Sequence, residues 1–204
     1  MNEFNVIKYL KTNLFFDLES IKKLKIFSSY LLKYNKKYNL IAKSTEKNLW
    51  HRHILDSAQI INFLPKKTIK IDDFGSGGGF PGVIISIFDL KNTFHVKLYE
   101  KSPVKREFLG IIRDLLNLKF EIKEDVYSNN IKTDVIVARA FKKLDKIIKI
   151  SREIVEKPHK IIILKGRNAQ TEINNVYLRD NYSYKLLNSI TDQSSKILMI
   201  DVNK

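Results

Sequence analysis

The chain contains no cysteine. Disulfides, thiolate metal sites and every mechanism built on a cysteine nucleophile are therefore excluded, and a reducing compartment is compatible with the composition. Glycine and proline are scarce, at seven and four of 204 residues. No Pro-, Gly- or Ser-rich linker and no internal repeat is visible. No stretch approaches the roughly 18 uncharged apolar residues of a membrane helix, so no membrane span is expected. The segment Met1–Lys8 has no basic start followed by an apolar run, so no secretory signal is expected. A cytoplasmic location follows as the expectation. Acidic residues are in deficit, 22 against 37 Lys and Arg, which gives a net charge of +15. The core is not deficient. With 44% apolar and 11% aromatic residues the chain can bury one, which excludes wholesale disorder. The length suits one domain with a small appendage.

A surplus of +15 creates a positive field that recruits polyanions, nucleic acid ahead of anionic membrane. Compositional drift towards Lys, Ile and Asn produces the same surplus. Charge has to be joined to a site before it means more.

Before Pro65 the chain reads as helices. One is expected from about Asn2 to Leu14. Apolar residues at 21, 24, 27, 31 and 32 make a 3.6-residue stripe behind Ser20, a candidate N-cap. A third stretch starts at Ser44–Lys47 and leads into Trp50–Phe63. After Pro65, short β-branched runs alternate with helical segments. Strands are predicted at Ile69–Phe74, Phe94–Tyr99, Lys119–Ile122, Asp134–Ala138, Lys160–Leu164, Tyr184–Asn188 and Lys196–Asp201. Helices are predicted at Pro81–Phe88, Pro103–Leu116, Leu144–Val155 and Gln170–Arg179. Such alternation predicts a mainly parallel α/β sheet covered on both faces. The last two strands lack an intervening helix, so a terminal hairpin with one antiparallel strand is expected. The division is residues 1–64, a helical extension, and 65–204, an α/β domain.

Five of the seven glycines lie within eight residues, Gly75, Gly77, Gly78, Gly79 and Gly82, directly after the first strand. Glycine there lets the backbone turn and lets a ligand touch the main chain. Pro81 supplies a preset φ at a first helical position. Ligands of open α/β sheets bind at this carboxyl edge. Gly77-Gly78-Gly79-Phe80-Pro81-Gly82 formally matches the dinucleotide fingerprint, but the strand runs into Gly75, not Gly77. No Lys-Ser/Thr follows, as a Walker loop needs. Read from the strand, the pattern is Asp73-x-Gly75-x-Gly77-x-Gly79, which resembles the loop that seats the amino-acid end of S-adenosylmethionine in class I methyltransferases. Glu100, after the second strand, is placed to accept hydrogen bonds from both ribose hydroxyls of a nucleoside cofactor. Glu124 and Asp125, after the third, are placed to meet its adenine. An ordinary loop with solvated acids is the competing reading of these three carboxylates.

Several motifs together are similar to one family. They are Asn39-Leu40, Trp50-His51-Arg52-His53-Ile54-Leu55-Asp56-Ser57, Asp73-Phe74-Gly75-Ser76-Gly77-Gly78-Gly79-Phe80-Pro81-Gly82, Lys105-Arg106-Glu107-Phe108-Leu109, Ala138-Arg139-Ala140-Phe141 and Leu164-Lys165-Gly166. Their order and spacing resemble the RsmG (GidB) family of bacterial small-subunit rRNA methyltransferases, from about residue 20 to the end. The resemblance implies a class I (Rossmann-like) fold with a seven-stranded sheet and an N-terminal helical extension. It implies methyl transfer from S-adenosylmethionine to N7 of a guanine in the 530 loop of 16S rRNA. By motif position, cofactor contacts fall on Gly75, Phe80, Glu124, Asp125 and Arg139; the loop reading adds Gly77, Gly79 and Glu100. Where Glu100 stands the family often has Asp, and Lys123 stands where Arg is common.

Guanine N7 carries an in-plane lone pair, so its methylation needs no prior deprotonation; alignment carries the work, and no general base is assigned. Pyrimidine C5 transfer normally needs a Cys. Exocyclic-amine methylation normally uses an Asn/Asp-Pro-Pro-aromatic motif, where this chain has Val137-Ala138-Arg139-Ala140-Phe141. A 2′-hydroxyl or small-molecule acceptor stays open. Arg139 is a candidate for the cofactor carboxylate or the target base, with a structural salt bridge as its alternative. Lys165 is a candidate for an RNA phosphate, or a solvated lysine. Arg52, His53 and Asp56 share a helix face at i,i+3 and i,i+4 spacing. They either pin the extension over the pocket with Arg52 or His53 facing RNA, or form a helix-stabilising cluster. Lys36, Lys37 and Lys43 with Tyr34 and Tyr38, and Lys101, Lys105 and Arg106, are candidate phosphate contacts, though Lys105 and Arg106 equally suit an exposed helix face. His51 and His53 diverge on a helix, and His95 and His159 have no partner visible in the sequence, so no metal is expected. The expected partner is 16S rRNA or the 30S subunit, met by a monomer. A nucleotide-dependent oxidoreductase and a non-catalytic RNA-binding module are the competing functions.

Overall fold

A computed structural model describes residues 1–65, 67, 69–128, 131–176 and 182–203. Helices α1 (Glu3–Asn13) and α2 (Leu18–Tyr38) open the chain. Each has a side-chain cap: Asn2 accepts the Asn5 amide at 2.9 Å and Asp17 accepts the Ser20 amide at 2.7 Å. Ser20 is therefore not the N-cap. It lies inside α2, buried, and its hydroxyl donates to the Ile87 carbonyl at 2.9 Å. The expected stripe is real. Ile21, Leu24, Phe27 and Leu31 are buried, each contributing roughly 1.5–3 kcal/mol of hydrophobic stabilisation. Asn39 ends α2 in the left-handed conformation, φ 54°, which Asn tolerates.

The third helical stretch is not one regular helix. It runs as a 3-10 turn (Lys43–Asn48), a π-helical turn (Trp50–Leu55), a short α3 (Asp56–Ala58) and a second 3-10 turn (Gln59–Phe63). The π turn widens the helix locally.

Beyond it come β1 (Ile69–Phe74), α4 (Gly82–Phe88), β2 (Phe94–Tyr99), α5 (Pro103–Leu115), β3 (Phe120–Lys123), β4 (Val135–Arg139), α6 (Leu144–Ile154), β5 (His159–Lys165), α7 (Ala169–Asn174), β6 (Tyr182–Asn188) and β7 (Lys196–Val202). Residues 177–179 of the last predicted helix lie outside the described residues. Helix α4 starts at Gly82, not Pro81, and Pro81 occupies its cap position. Gly82 is needed there, because a Cβ would stand 2.1 Å from Leu98 Cδ2 and 2.6 Å from Asp73 Oδ2.

The seven strands form one sheet in the order β3-β2-β1-β4-β5-β7-β6. Five are parallel, and β7 runs antiparallel between β5 and β6, as the missing crossover helix predicts. The sheet reverses its winding between β1 and β4, and at that switch point a crevice opens at the carboxyl edge. Two cores sandwich the sheet. One gathers α1, α2, α4 and α5 with residues of the 49–64 stretch. The other gathers α6 with Ile173 of α7, and Val126 and Ile131 of the β3–β4 connection. The first core is continuous through the N-terminal helices and the sheet, so the extension cannot hang freely over the crevice. Among the described residues no helix is long and apolar enough to cross a membrane.

Candidate functional site

The turn after β1 is held from both sides. The Gly75 and Ser76 amides donate to the Tyr99 carbonyl at 2.9 and 3.0 Å, and the Gly79 and Phe80 amides to the Ser76 carbonyl at 2.8 and 2.9 Å. The Gly77 amide donates to Glu100 Oε2 at 2.8 Å. Gly75, Gly77 and Gly79 all have positive φ, at 78°, 56° and 101°. The space beside them differs. A Cβ on Gly75 would strike the Phe141 ring at 2.3 Å, and one on Gly79 would strike Val83 at 2.7 Å. A Cβ on Gly77 would meet only the Gly75 carbonyl oxygen, at 3.9 Å. Gly77 is the glycine that leaves bare backbone towards open space.

That space is a cleft of about 460 Å³, within the usual range for a small-ligand site. Gly75, Gly77, Phe80, Glu100, Glu124, Asp125 and Arg139 all line it. Gly79 does not; it shapes the turn. Leu40, Ile41 and Ala42 roof the cleft, and motif reasoning did not assign them. Asn35 fixes that roof from a buried position, accepting the Ile41 amide at 2.8 Å and donating to Glu46 Oε1 at 2.6 Å. The donor set fits S-adenosylmethionine. Bare glycine backbone suits its amino-acid end, the carboxylates of Glu100 and Asp125 suit its hydroxyl and amine hydrogens, and Tyr99, Val126 and Phe141 supply apolar walls. Glu124 is largely solvated, 70% exposed, and pairs with Arg106 at 3.5 Å. Asp125 pairs with Lys101 at 3.0 Å, which holds its carboxyl below the usual range. Arg106 also donates to the carbonyls of Glu100 and Lys101, at 3.0 and 2.7 Å. It is a staple of the site's edge and not an open phosphate contact.

A second chamber of about 580 Å³ adjoins the first. The two share His53, Arg139, Ala140 and Phe141. Arg139, the last residue of β4, is the hub. Its Nη1 lies 3.5 Å from Asp56 Oδ2 and 3.3–3.5 Å from the Arg52 carbonyl, the His53 carbonyl and Ser57 Oγ. Nη2 meets His53 Nδ1, and the guanidinium sits 5.0 Å over the Phe80 ring. Burial lowers its pKa, opposed by Asp56 and Asp73. Asp56 in turn accepts from Thr191 Oγ1 at 2.8 Å and Gln59 Nε2 at 2.9 Å. Burial raises its pKa while Arg139 opposes the shift. The β6–β7 turn is thereby tied to the extension, a link between positions 130 and 135 residues apart that no local pattern announces. The salt bridge expected as Arg139's alternative is present, at the edge of both chambers.

The other candidates divide. Arg52 is half exposed and pairs with Asp192 at 3.3 Å across the second chamber. His53 is 7% exposed, so it is a wall and not an open RNA contact. Lys165 is also committed. Its side chain is 9% exposed, its ammonium is 2.7 Å from Glu172 Oε2, and a lysine so paired has little left for a phosphate. Lys142 and Lys143 line the same chamber and are exposed. Tyr34 and Tyr38 pack against the first core instead of offering open stacking faces. His159 does have a partner: its Nδ1 lies 2.8 Å from the Lys157 carbonyl oxygen and its Nε2 meets the Ser151 hydroxyl. Among the described residues no group of three or more His, Asp and Glu is placed to hold a metal.

The fold has solved relatives. A S-adenosylmethionine-dependent methyltransferase from Aquifex aeolicus superposes with a TM-score of 0.60 at 12% identity, over 87% of this chain and 98% of that one. A mutant of MtNAS, in complex with S-adenosylmethionine, gives 0.60 at 10% identity over 100% and 85%. At such identity the likeness shows the fold alone, a class I Rossmann-like methyltransferase fold. The sequence itself says more. The family model for GidB, rRNA small subunit methyltransferase G, matches residues 20–197. The ribosomal RNA small subunit methyltransferase G of Orientia tsutsugamushi (strain Ikeda) is 38% identical over 198 residues, 97% of this chain and 98% of its own length. That of Rickettsia prowazekii (strain Madrid E) is 36% identical over 184 residues, 90% and 94%. The glycine turn is thus no dinucleotide frame of an oxidoreductase; the chain belongs to the GidB family, rRNA small subunit methyltransferase G, and its cofactor is S-adenosylmethionine.

Proposed function

We propose that this rRNA methyltransferase transfers a methyl group from S-adenosylmethionine to N7 of a guanine in the 530 loop of 16S rRNA, as a cytoplasmic monomer acting on the rRNA or the 30S subunit. The observation that carries the reading is the pair of contiguous chambers at the switch point, sharing a wall of His53, Arg139, Ala140 and Phe141. One takes the cofactor and the other an extruded base. S-Adenosylmethionine, when bound, supplies an electrophilic sulfonium methyl. The chain supplies position. Gly75 and Gly77 present backbone to the amino-acid end, Gly79 shapes that turn, and Phe80 packs behind it. Glu100 takes the ribose hydroxyls, Glu124 and Asp125 flank the adenine, and Arg139 receives the carboxylate.

No proton has to leave guanine N7 before attack, so an active site without a free base suffices. His53 fits that requirement: burial, with Arg139 and Arg52 beside it, holds its pKa down to about 3, and both ring nitrogens are engaged. Methylated N7 makes the purine cationic. The Phe141 ring on the shared wall offers that cation a stacking face. Lys142 and Lys143, exposed at the rim of the second chamber, make the approach positive for RNA.

The test is transfer of labelled methyl to undermethylated 30S subunits and naked 16S rRNA, followed by mass-spectrometric mapping. Label on N7 of one 530-loop guanine is expected. Label elsewhere, or RNA binding without transfer, would overturn the assignment.

A further inference from the structure

The histidine of the Arg-His-x-x-Asp-Ser motif has a hydrogen-bond direction that can be read from its neighbours. Arg139 Nη2 faces His53 Nδ1. A guanidinium only donates, so Nδ1 accepts. The ring proton then sits on Nε2, which donates to Thr45 Oγ1 at 2.8 Å. The Thr45 hydroxyl is left to donate to the Ala42 carbonyl at 2.7 Å. The chain of donors runs one way, Arg139 to His53 to Thr45 to Ala42. Arg139 lines both chambers, Ala42 roofs the first and Thr45 lines the second. The imidazole ring is packed 5.2 Å from the Phe80 ring and cannot swing without leaving that contact.

We infer that His53 is a positioning residue. Its Nδ1 sets the Arg139 guanidinium on the boundary between the chambers and ties it, through Thr45, to the roof of the cofactor cleft. His53 does not touch RNA. The inference rests on the reading of Arg139 as a cofactor contact.

The experiment compares two substitutions that lose the same ring contacts. The amide of His53→Asn falls near the position of Nδ1; that of His53→Gln falls near Nε2. Cofactor affinity by calorimetry and single-turnover methyl transfer to undermethylated 30S subunits are measured for both, for Arg139→Ala, and for Arg139→Ala combined with His53→Gln. We expect His53→Gln to weaken S-adenosylmethionine about tenfold more than His53→Asn, the size of one hydrogen bond to a charged group. We expect the double variant to transfer methyl no more slowly than Arg139→Ala alone, because the histidine acts through the arginine. RNA affinity by filter binding should stay within about twofold in both His53 variants. Equal losses in the Asn and Gln variants, additive losses in the double variant, or lost RNA affinity would each overturn the positioning role. Unchanged cofactor affinity in Arg139→Ala would overturn the reading of Arg139 instead, while the cycle on the transfer rate still decides the role of His53.

Discussion

Glu100 accepts the Gly77 amide at 2.8 Å, and with its other oxygen the Ser102 amide at 2.8 Å. One carboxylate therefore fixes the turn after β1 against the start of the segment that leads into α5. A carboxylate has about four lone-pair directions, so two amides leave capacity facing the cleft.

Glu100→Ala should raise the dissociation constant for S-adenosylmethionine by about tenfold or more, the loss of at least one charge-assisted hydrogen bond plus a loosened turn. Isothermal calorimetry reads it directly. An unchanged constant would mean that the acid serves the turn alone.

Gly77→Val combines two effects that can be separated. The backbone at φ 56° disfavours a β-branched residue by about 1–2 kcal/mol, which a melting curve reports as a drop of several degrees. The new side chain also enters the space beside bare backbone, so cofactor binding should be abolished while the fold persists. Retained affinity would show that this part of the cleft is not used.

Asp72 faces away from the site, 2% exposed, with Oδ2 unpartnered. Burial pushes its pKa up to about 7, with Lys97, Glu121 and Lys70 around it. The native state keeps its proton between about pH 4 and 7 while the unfolded chain releases it. Stability from this group is thus present at low pH and falls as pH rises through that window. Asp73, also pushed to about 7 by burial, acts in the same direction, and His53, pushed down to about 3, acts in the opposite one. Asp72→Asn isolates the first. Urea melts should show wild type losing about 2–4 kcal/mol more than the variant between about pH 4 and pH 8. Parallel profiles would show that Asp72 ionises normally.

RNA affinity should fall linearly on a log–log salt plot. Lys142→Ala and Lys143→Ala, at the exposed rim of the second chamber, should each weaken binding and lower the slope by about one. Lys165→Ala should leave the slope unchanged, because Glu172 already neutralises that ammonium. A slope unaffected by Lys142 and Lys143 would move the RNA path elsewhere.

Much of this protein follows from local order in the chain. β-Branched runs and 3.6-residue stripes define elements by short-range periodicity, so the strands and most helices are legible, and the absent helix before the last strand foretells the antiparallel β7. The cluster of glycines after Ile69–Phe74 marks the crevice, because few other reasons exist to spend backbone stability in one turn. Caps are less legible. Asp17 and Ser20 are both competent residues three positions apart, and the cap is Asp17 because Ser20 is inside the helix, donating to Ile87.

The condition of the charged side chains was a matter for the folded chain. Nothing near Lys165 in sequence says that Glu172 swings onto it from α7, and nothing near Asp56 says that Thr191 comes to meet it. Whether a lysine is free for phosphate, or a histidine open to RNA, depends on which distant partner desolvates it. Sequence determined the elements and the glycine turn because their physics is local. Only tertiary structure decided which cations stay free, because burial and long-range pairing are properties of the packed molecule.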